Sequence, residues 1–438
     1  MSVTPSSGLR RILGLGFGLA VTIGGTIGVG ILRTPALIAG QLHGEWPILL
    51  IWIAGGLYTM LGAVCLAELG TAIPQAGGYY VYARRGLGDA AGFAVGWTDW
   101  LTYCAALAYL SIAIAEFLIL LVPSLAGWTT PIAIGAMAGF VALQSAGLRV
   151  SSRFQEWTTV VKCLAFLALI AACFVLPIRT GVEAVPAMSS VAPTAATLTG
   201  VILALQAVVI AFGGWQSALY FAEEDRDPAA HLPRALIGGV AMVVAIYVLV
   251  NAALLQVVPI PAMAQSTLAA ADAARAIAGE RGGQLITILS IVSLIPLLNA
   301  LLMIGTRILF ALGRDRMFWP GAAAVNAGGT PATAMWITTA ATIALIATGT
   351  FQQLVALVSC FLAANYCLCC IALVVLRRRE PNLPRPFRAW GYPYSAAIVV
   401  AGAIVFLGGV LIGDTRNGLI ALGLLAGGFL LKLLSRQV

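Results

Sequence analysis

Glycine is concentrated at two places inside apolar segments, where the backbone itself could bind a ligand. Residues 24–30 read GGTIGVG, and residues 212–214 read FGG. Each glycine in a helix interior costs about 1 kcal/mol relative to alanine. Gly24 and Gly28 alone would suit close packing of two membrane helices, but Gly25 and Gly30 lie on further faces. The pattern therefore favours local unwinding, which would leave backbone N–H and carbonyl groups unpaired.

The polarity of these backbone groups indicates what they could bind. A half-helix that begins near Val29 would present free N–H groups and the positive end of its dipole, which suit a carboxylate. Half-helices that end near Thr26 and Gly213 would leave free carbonyl groups, which suit an ammonium group. An α-amino acid carries both charges on adjacent atoms. No Asp or Glu lies beside either glycine cluster, so a strongly cationic side chain would lack a partner there.

Lys162 is a second candidate for chemistry, because it lies within the apolar segment VVKCL. Ionisable residues inside a membrane segment are functional candidates. The alternative is a side chain that extends back to the membrane surface, but several residues separate Lys162 from Arg153. We expect a buried lysine that supplies a fixed positive charge or, after losing its proton, acts as a proton carrier.

For the remaining polar residues in or near apolar segments we expect structural rather than functional roles. For Glu68, Asp99 and Glu116 we expect solvated or paired structural carboxylates. Arg33 follows the first glycine cluster by one turn, and we expect it to extend outward rather than to act as a gate. All eight cysteines lie in apolar runs and both histidines in connections, so we predict neither a metal site nor a cofactor.

The elements that must position these groups are membrane-spanning helices. Of the 438 residues, 61% are hydrophobic and 9% charged, with a mean hydropathy of +1.00, whereas soluble domains carry roughly a quarter charged residues. A spanning helix needs about 20 apolar residues. We predict one membrane domain over residues 1–438 with twelve spans, near residues 11–40, 47–72, 89–122, 130–147, 154–177, 197–222, 234–258, 284–312, 332–349, 352–376, 393–413 and 416–434.

The distribution of basic residues predicts the orientation. The net charge is +8, but the basic residues are scattered through short connections, which argues against nucleic-acid binding. Twelve spans place both termini on one side, and the excess of basic residues there predicts that both termini are cytoplasmic, in the plasma (inner) membrane. We interpret the first apolar segment as a span rather than a signal peptide. On the opposite side the spans leave only Arg33, Arg179, Arg275, Arg281 and Arg416.

The two glycine clusters occupy corresponding places in the predicted order of spans. They fall in spans one and six, the first members of two successive sets of five, over residues 11–177 and 197–376. Residues 393–434 hold spans eleven and twelve. Glycine-interrupted spans at corresponding positions of two halves are the best sequence pointer to a transporter site built on inverted repeats.

At these residues the chain resembles the amino acid–polyamine–organocation superfamily, and within it is similar to the L-type amino acid transporters and their bacterial relatives. The resemblance runs from about residue 12 to 395, and its combination of motifs is more specific than any single glycine run. The motifs are residues 28–32 (GVGIL), 68–69 (EL), 77–80 (GGYY), 212–215 (FGGW), 223–224 (EE), 232–235 (LPRA) and 385–387 (RPF).

The resemblance implies an all-α membrane protein with a LeuT-type 5+5 inverted repeat, twelve transmembrane helices, broken helices one and six, and two additional C-terminal helices. Lys162 matches a lysine that, in sodium-independent relatives, occupies the space of a sodium ion and bonds towards helix one and the serine here numbered Ser293. The implied substrate-binding residues lie on helices one, six and seven: Thr26, Ile27, Gly28, Val29, Gly30, Ile31, Ile210, Phe212, Gly213, Gly214 and Tyr247.

We therefore expect a sodium-independent secondary active transporter of neutral amino acids that works by alternating access, as an exchanger or a proton symporter. A permease of the same fold for polyamines or other organic cations is the alternative. Ile210 stands where relatives often place an aromatic lid, which argues against large aromatic substrates. The loop near Gly127 lacks the partner-binding cysteine of the L-type group, so we expect no obligatory ancillary subunit.

Two other classes of protein are disfavoured by the sequence. An intramembrane enzyme would be expected to carry a His-Glu-x-x-His metal motif or a Gly-x-Ser-x-Gly elbow, and neither occurs. A channel would be expected to carry a carbonyl-lined filter, for which no motif is visible. The partners that we expect are a small-molecule amino acid and the lipid bilayer.

Overall fold

The computed structural model describes residues 8–28, 30–178, 198–348, 351–413 and 415–435. Within these ranges the chain is helical apart from turns, loops and one isolated bridge. At the bridge, the backbone N–H of Leu13 donates to Glu224 (3.0 Å), and the carbonyl of Leu13 accepts from Arg226 (3.1 Å). Helices suit a chain in lipid because they satisfy their backbone hydrogen bonds internally.

The first part of the chain, up to residue 178, forms seven α-helices among the described residues. These are α1 (Leu15–Thr26), α2 (Gly30–Ala39), α3 (Glu45–Ala72), α4 (Tyr79–Leu87), α5 (Asp89–Leu121), α6 (Thr129–Ser145) and α7 (Leu148–Val175).

The described residues from 198 onward form nine more α-helices. These are α8 (Leu198–Ala211), α9 (Pro228–Val257), α10 (Ile260–Gln265), α11 (Ala269–Ala278), α12 (Glu280–Arg314), α13 (Ala332–Thr348), α14 (Phe351–Arg379), α15 (Tyr394–Gly413) and α16 (Thr415–Ser435). Three 3-10 helices accompany them, at Pro123–Leu125, Trp215–Phe221 and Pro320–Ala323.

Seven segments of the described chain are long and apolar enough to cross a bilayer: α3, α5, α7, residues 200–221, α9, α12 and residues 360–379. Helices α1 and α2 make an eighth span if the pair is counted as one, with a bend of 43° between them. Shorter apolar helices lie within α6, α13, α15 and α16. The protein is therefore an all-helical, multi-pass membrane protein.

Each of the twelve predicted spans contains at least one observed helix, but three observed helices were not predicted. Helices α4, α10 and α11 are only 9, 6 and 10 residues long. They lie in the connections between apolar segments, and each is much shorter than the roughly 20 apolar residues that a membrane span needs.

The packing of the helices surrounds the first glycine cluster. Helix α1 packs against α7, α9, α12 and the 3-10 helix Trp215–Phe221. Helix α12 also packs against α5, which in turn packs against α13 and α14. The first glycine cluster, at the end of α1, is therefore enclosed by neighbouring helices.

Candidate functional site

The first helix break separates α1 from α2 at the first glycine cluster. The last backbone hydrogen bond of α1 runs from the N–H of Ile27 to the carbonyl of Ile23, at 2.9 Å. The next helix begins at Gly30. Val29, which we predicted to contact substrate, lies outside the described residues. The break predicted from the glycine content is present.

The second helix break lies between α8 and the 3-10 helix Trp215–Phe221. Helix α8 ends at Ala211, and Gly214 adopts φ 107°, a left-handed conformation that favours glycine. A 3-10 helix replaces the α-helix beyond this point. This second break was also predicted.

The glycines of the two breaks also allow very close packing, so unwinding and packing occur together. A Cβ atom on Gly214 would lie 2.0 Å from the carbonyl oxygen of Gly25, and one on Gly25 would lie 2.6 Å from the hydroxyl of Ser217. Such approaches leave no space for a side chain. The two breaks therefore face each other directly.

The side chain of Tyr247, on α9, forms hydrogen bonds with both helix breaks. Its hydroxyl lies 3.0 Å from the carbonyl oxygen of Thr26 and 3.0 Å from that of Ala211. The ring packs on Trp52 and Phe212, with centroid distances of 5.4 and 5.0 Å. Both Tyr247 and Phe212 are buried and neither lines the cavity described below. Both side chains pack in the aromatic cluster beside the breaks, and their contact with substrate stays a prediction.

Lys162 of α7 is completely buried, so its side chain does not extend to the membrane surface. Its ammonium group donates to the carbonyl of Gly24, at 2.9 Å, and to the carbonyl of Ile27. No acidic residue of the described chain lies within ion-pair distance of it. The lysine therefore holds the carbonyl end of the first break in place.

Ser293 differs from the expectation. Its hydroxyl donates to the carbonyl of Ser290 on its own helix, at 2.8 Å, and no hydrogen bond joins it to Lys162. A serine in a membrane helix commonly satisfies its hydroxyl in this way. The ammonium group of Lys162 is instead satisfied by the carbonyls of α1 and the residues just after it.

A cavity of about 270 Å³ lies beside the two breaks. Side chains and backbone of α1, α2, α5, α12 and α14 line it together with the second break. Six predicted site residues belong to the lining: Thr26, Gly28, Gly30, Ile210, Gly213 and Gly214.

Ile27 and Ile31 do not line the cavity, although both were predicted as site residues. Both side chains are fully buried and belong to an apolar cluster with Phe166 of α7. Their side chains lie elsewhere because consecutive residues of a half-helix point in different directions, and contact of their backbone groups with substrate stays a prediction. The carbonyl of Ile27 still takes part in the site through its hydrogen bond with Lys162.

The cavity also contains polar residues that were not predicted. Thr102, Tyr103 and Tyr109 come from α5, and Gln216 follows the second break. Helix α5 carries no glycine cluster like those of the breaks, so no sequence feature marked its cavity-facing residues. Gln216 was directly adjacent to a recognised motif and could have been included.

Arg33, which we expected to extend outward, is among the residues that line the cavity. Its guanidinium carbon lies 5.6 Å from the centre of the Phe117 ring, as in a cation–π contact. Arg33 is the one charged side chain among the described residues that line this cavity. The electrostatic field that it adds is positive, which disfavours a cationic ligand.

The three acidic residues near apolar segments have different surroundings. Glu68 is buried, accepts from Arg377 (2.8 Å) and from the backbone N–H of Ala389 (2.7 Å), and forms an ion pair with Arg385 (3.2 Å), which confirms a paired structural carboxylate. Glu116 is exposed. Asp99, by contrast, is buried without a cationic partner among the described residues, and it accepts from the hydroxyl of Tyr220 at 2.8 Å.

Several ion pairs cluster at the ends of α3, α12 and α14, on the side of the N-terminal segment. Arg307 contacts both carboxylate oxygens of Glu224, at 2.8 and 3.0 Å, and both side chains are buried. Burial raises the pKa of the Glu224 carboxyl, while Arg307 opposes this shift. Arg314 pairs with Glu223 at 2.7 Å. We call these two pairs, together with Glu68 and its arginines, the ion-pair layer.

Among the described residues, no group of three or more His, Cys, Asp or Glu side chains is placed to hold a metal ion. All eight cysteines are free thiols. The polar groups at the cavity and the breaks include backbone groups, hydroxyl groups, the amide of Gln216 and the two cations Lys162 and Arg33.

Comparison with known proteins identifies the family. The family model for amino acid permeases matches residues 18–428. The serine/threonine exchanger SteT of Bacillus subtilis (strain 168) is 28% identical over 425 residues, which cover 94% of each chain. The Asc-type amino acid transporter 1 of Mus musculus is 28% identical over 391 residues, 87% of this chain and 73% of the mouse protein.

A third relative is the b(0,+)-type amino acid transporter 1 of Mus musculus, which is 25% identical over 414 residues, 92% of this chain and 82% of the mouse protein. All three relatives are transporters by name. The family match covers both helix breaks, Lys162 and the ion-pair layer. The chain therefore belongs to the amino acid permease family, whose members are membrane transport proteins and not enzymes.

Proposed function

We propose that this protein is a secondary active transporter that exchanges or imports small neutral amino acids, independently of sodium, by alternating access. The observation that carries the proposal is the pair of facing helix breaks that lie beside one cavity. Such breaks present peptide groups at membrane depth, where they are tolerated only if they line a cavity or are buried in protein.

The charges of a zwitterion match the two ends of the breaks. The first N–H groups of α2, from Gly30 onward, have no partner within their own helix and would receive the α-carboxylate. Carbonyl groups at the ends of α1 and α8 would receive the α-ammonium group. Thr26 and Gly213 are the predicted residues at these ends that also line the cavity.

The cavity favours a neutral side chain over a polyamine or other organic cation. No acidic side chain is found among the described residues that line it, and Arg33 adds a positive charge. The relatives named for serine, threonine and other amino acids support the same class of substrate. A polyamine would need several carboxylates that this cavity does not offer.

Lys162 supports independence from sodium. Its ammonium group already occupies the space between α7 and the end of α1, where it bonds to two carbonyl groups. A fixed cation there would take the role of a bound sodium ion. Lys162 would also be the group that couples transport to protons, if the protein is a symporter rather than an exchanger.

We also propose twelve spans, with residues 11–177 and 197–376 as inverted repeats and residues 393–434 as two further spans. The basic residues of alternate connections support cytoplasmic termini in the plasma (inner) membrane. The loop near Gly127 lacks a cysteine, which supports function without a disulfide-linked ancillary subunit.

Uptake into proteoliposomes tests the proposal. Purified full-length protein is reconstituted, loaded with unlabelled serine and exposed to radiolabelled serine in sodium chloride or choline chloride. We expect equal uptake in both salts and none in protein-free liposomes. Absence of amino acid uptake or exchange under every sodium and proton gradient would refute the proposed function, whereas a requirement for sodium would refute only the role of Lys162.

A further inference from the structure

We propose that Asp99, on α5, is a proton-binding site whose occupancy is coupled to movement of the second helix break. This inference rests on the proposed transport function, for its proton-coupled form, and assigns the coupling proton to Asp99 in place of Lys162. It is carried by the burial of Asp99, the neutral groups around it and the contacts that connect it to the cavity.

Asp99 differs from two buried glutamates, Glu68 and Glu224, in having no positively charged partner among the described residues. Glu68 and Glu224 are fully buried, and each is paired with at least one arginine. Asp99 is equally enclosed, with 1% of its surface exposed, but no Lys, Arg or His of the described chain lies within ion-pair distance. An isolated buried carboxylate is strongly unfavourable, so the neutral, proton-bearing form is favoured here.

The ionisable side chains around Asp99 are tyrosines and a cysteine, which carry no charge in their protonated form. On neighbouring elements they are Tyr220 of the 3-10 helix, Tyr79 of α4, and Tyr366 and Cys369 of α14. Asn365 of α14 is buried as well, and its neutral amide accepts a hydrogen bond from Thr98, the residue before Asp99, at 3.1 Å.

The remaining neighbours of α5 add no compensating charge at Asp99. Tyr103 lies one turn along the same helix. From α13, Thr338 accepts a hydrogen bond from the Trp100 indole. Arg307 of α12 is paired with Glu224, and Lys432 of α16 lies over the ring of Phe93 at 4.6 Å.

A chain of contacts joins Asp99 to the cavity. Tyr220 donates to Asp99 at 2.8 Å, and its ring packs on that of Tyr103 with 5.5 Å between centroids. Gln216 donates to the hydroxyl of Tyr103 at 3.4 Å and accepts from the backbone N–H of Gly214 at 3.2 Å. Tyr103, Gly214 and Gln216 all line the cavity, so substrate at the break contacts the same network.

Proton binding and helix movement are coupled because the hydrogen-bond donor Tyr220 and the acceptor Asp99 lie on different elements. Tyr220 belongs to the segment after the second break, and Asp99 belongs to α5. If alternating access moves the broken helix relative to α5, an ionised Asp99 would lose its hydrogen-bond donor inside the protein. A protonated Asp99 remains neutral and permits the movement. The proton comes from water on one side of the membrane and leaves to water on the other, with no other bond formed or broken.

The test measures serine accumulation in proteoliposomes driven by an inwardly directed proton gradient. For the wild-type protein we expect accumulation that increases as the external pH falls. Asp99→Asn should retain serine exchange but lose accumulation driven by the gradient. Glu116→Gln, an exposed carboxyl on the same helix, is the matched control and should behave as wild type.

Tyr220→Phe provides a second, independent measurement. Removing the hydroxyl that favours the ionised carboxylate should raise the midpoint of the pH dependence by about one to two pH units, as expected for a hydrogen bond to a charged group. Infrared absorption of a protonated buried carboxyl group in the detergent-solubilised protein should be present in wild type and missing in Asp99→Asn, even if that variant transports poorly.

The outcomes separate this inference from the proposed function. Wild-type exchange without any response to a proton gradient would overturn the role of Asp99 and leave amino acid transport intact. Gradient-driven accumulation that survives in Asp99→Asn would overturn the role of Asp99, whatever group binds the proton instead. Absence of the infrared band in wild type would show that Asp99 is ionised and would also overturn the proposal.

Discussion

Gly214 and Gly25 bring the two helix breaks into direct contact, since a Cβ atom on Gly214 would lie 2.0 Å from the carbonyl oxygen of Gly25. The two residues are far apart in sequence and belong to different broken helices. This contact places the carbonyl end of α1 against the start of the 3-10 helix Trp215–Phe221, which follows the second break. A small change at either residue is therefore expected to disturb the whole site.

Gly214→Ala is predicted to abolish serine uptake and to lower the melting temperature of the purified protein. The added methyl group cannot fit against Gly25, and the left-handed φ of 107° adds strain of about 1–2 kcal/mol for alanine. Gly139→Ala in α6 is the control, because a Cβ there meets nothing within 4 Å. Similar uptake by the two variants would contradict the close contact of the breaks.

Lys162→Met is predicted to abolish uptake while the protein remains in the membrane fraction. The substitution leaves the buried carbonyls of Gly24 and Ile27 without their shared donor, at a cost of about 1–3 kcal/mol for each unsatisfied group. Uptake of labelled serine and thermal unfolding are measured side by side. Unchanged values for both would show that the ammonium group does not hold the first break.

Tyr247→Phe is predicted to raise the KM for serine roughly fivefold to tenfold, with a smaller effect on maximal uptake. The variant keeps the aromatic packing on Trp52 and Phe212 but removes the hydroxyl that joins the breaks, a hydrogen bond of about 1 kcal/mol or slightly more. Tyr394→Phe, at an exposed tyrosine, should leave the KM unchanged. Equal KM values for all three proteins would argue against a linking role.

Glu224→Ala is predicted to destabilise the protein much more than Glu223→Ala. Arg307 and Glu224 are 1% and 0% exposed, so removal of Glu224 leaves a buried positive charge without compensation, at a cost of about 3–5 kcal/mol. Arg314 and Glu223 are 30% and 27% exposed, and a solvent-accessible pair contributes about 0–1 kcal/mol. Thermal unfolding in detergent measures both, and equal shifts would contradict the difference in burial.

Arg33→Gln is predicted to weaken discrimination against cationic amino acids. The guanidinium is the one charge among the described residues of the cavity lining, and its removal should improve inhibition of serine uptake by lysine about tenfold, given the strength of charge repulsion across a few ångströms at a protein surface. Inhibition by alanine is the internal control. An unchanged ratio of lysine to alanine inhibition would show that Arg33 does not contribute to discrimination against cationic amino acids.

The apolar segments and the two breaks were predictable because they depend on local composition. Apolar stretches of sufficient length predict helices in a membrane, and the glycines at residues 24–30 and 212–214 predict where a helix is interrupted. These properties need no knowledge of neighbouring helices. The family resemblance followed from short motifs that lie at the same local features.

The identity of the side chains that face the cavity depended on the tertiary structure. Phe212 and Tyr247 pack against each other outside the cavity lining, whereas Arg33 belongs to that lining. Asp99 meets Tyr220 across 121 residues of sequence. In a chain whose helices are apolar around most of their circumference, periodicity does not specify the rotation of a helix. That rotation is set by packing against its neighbours, so only the assembled bundle decides which polar groups meet.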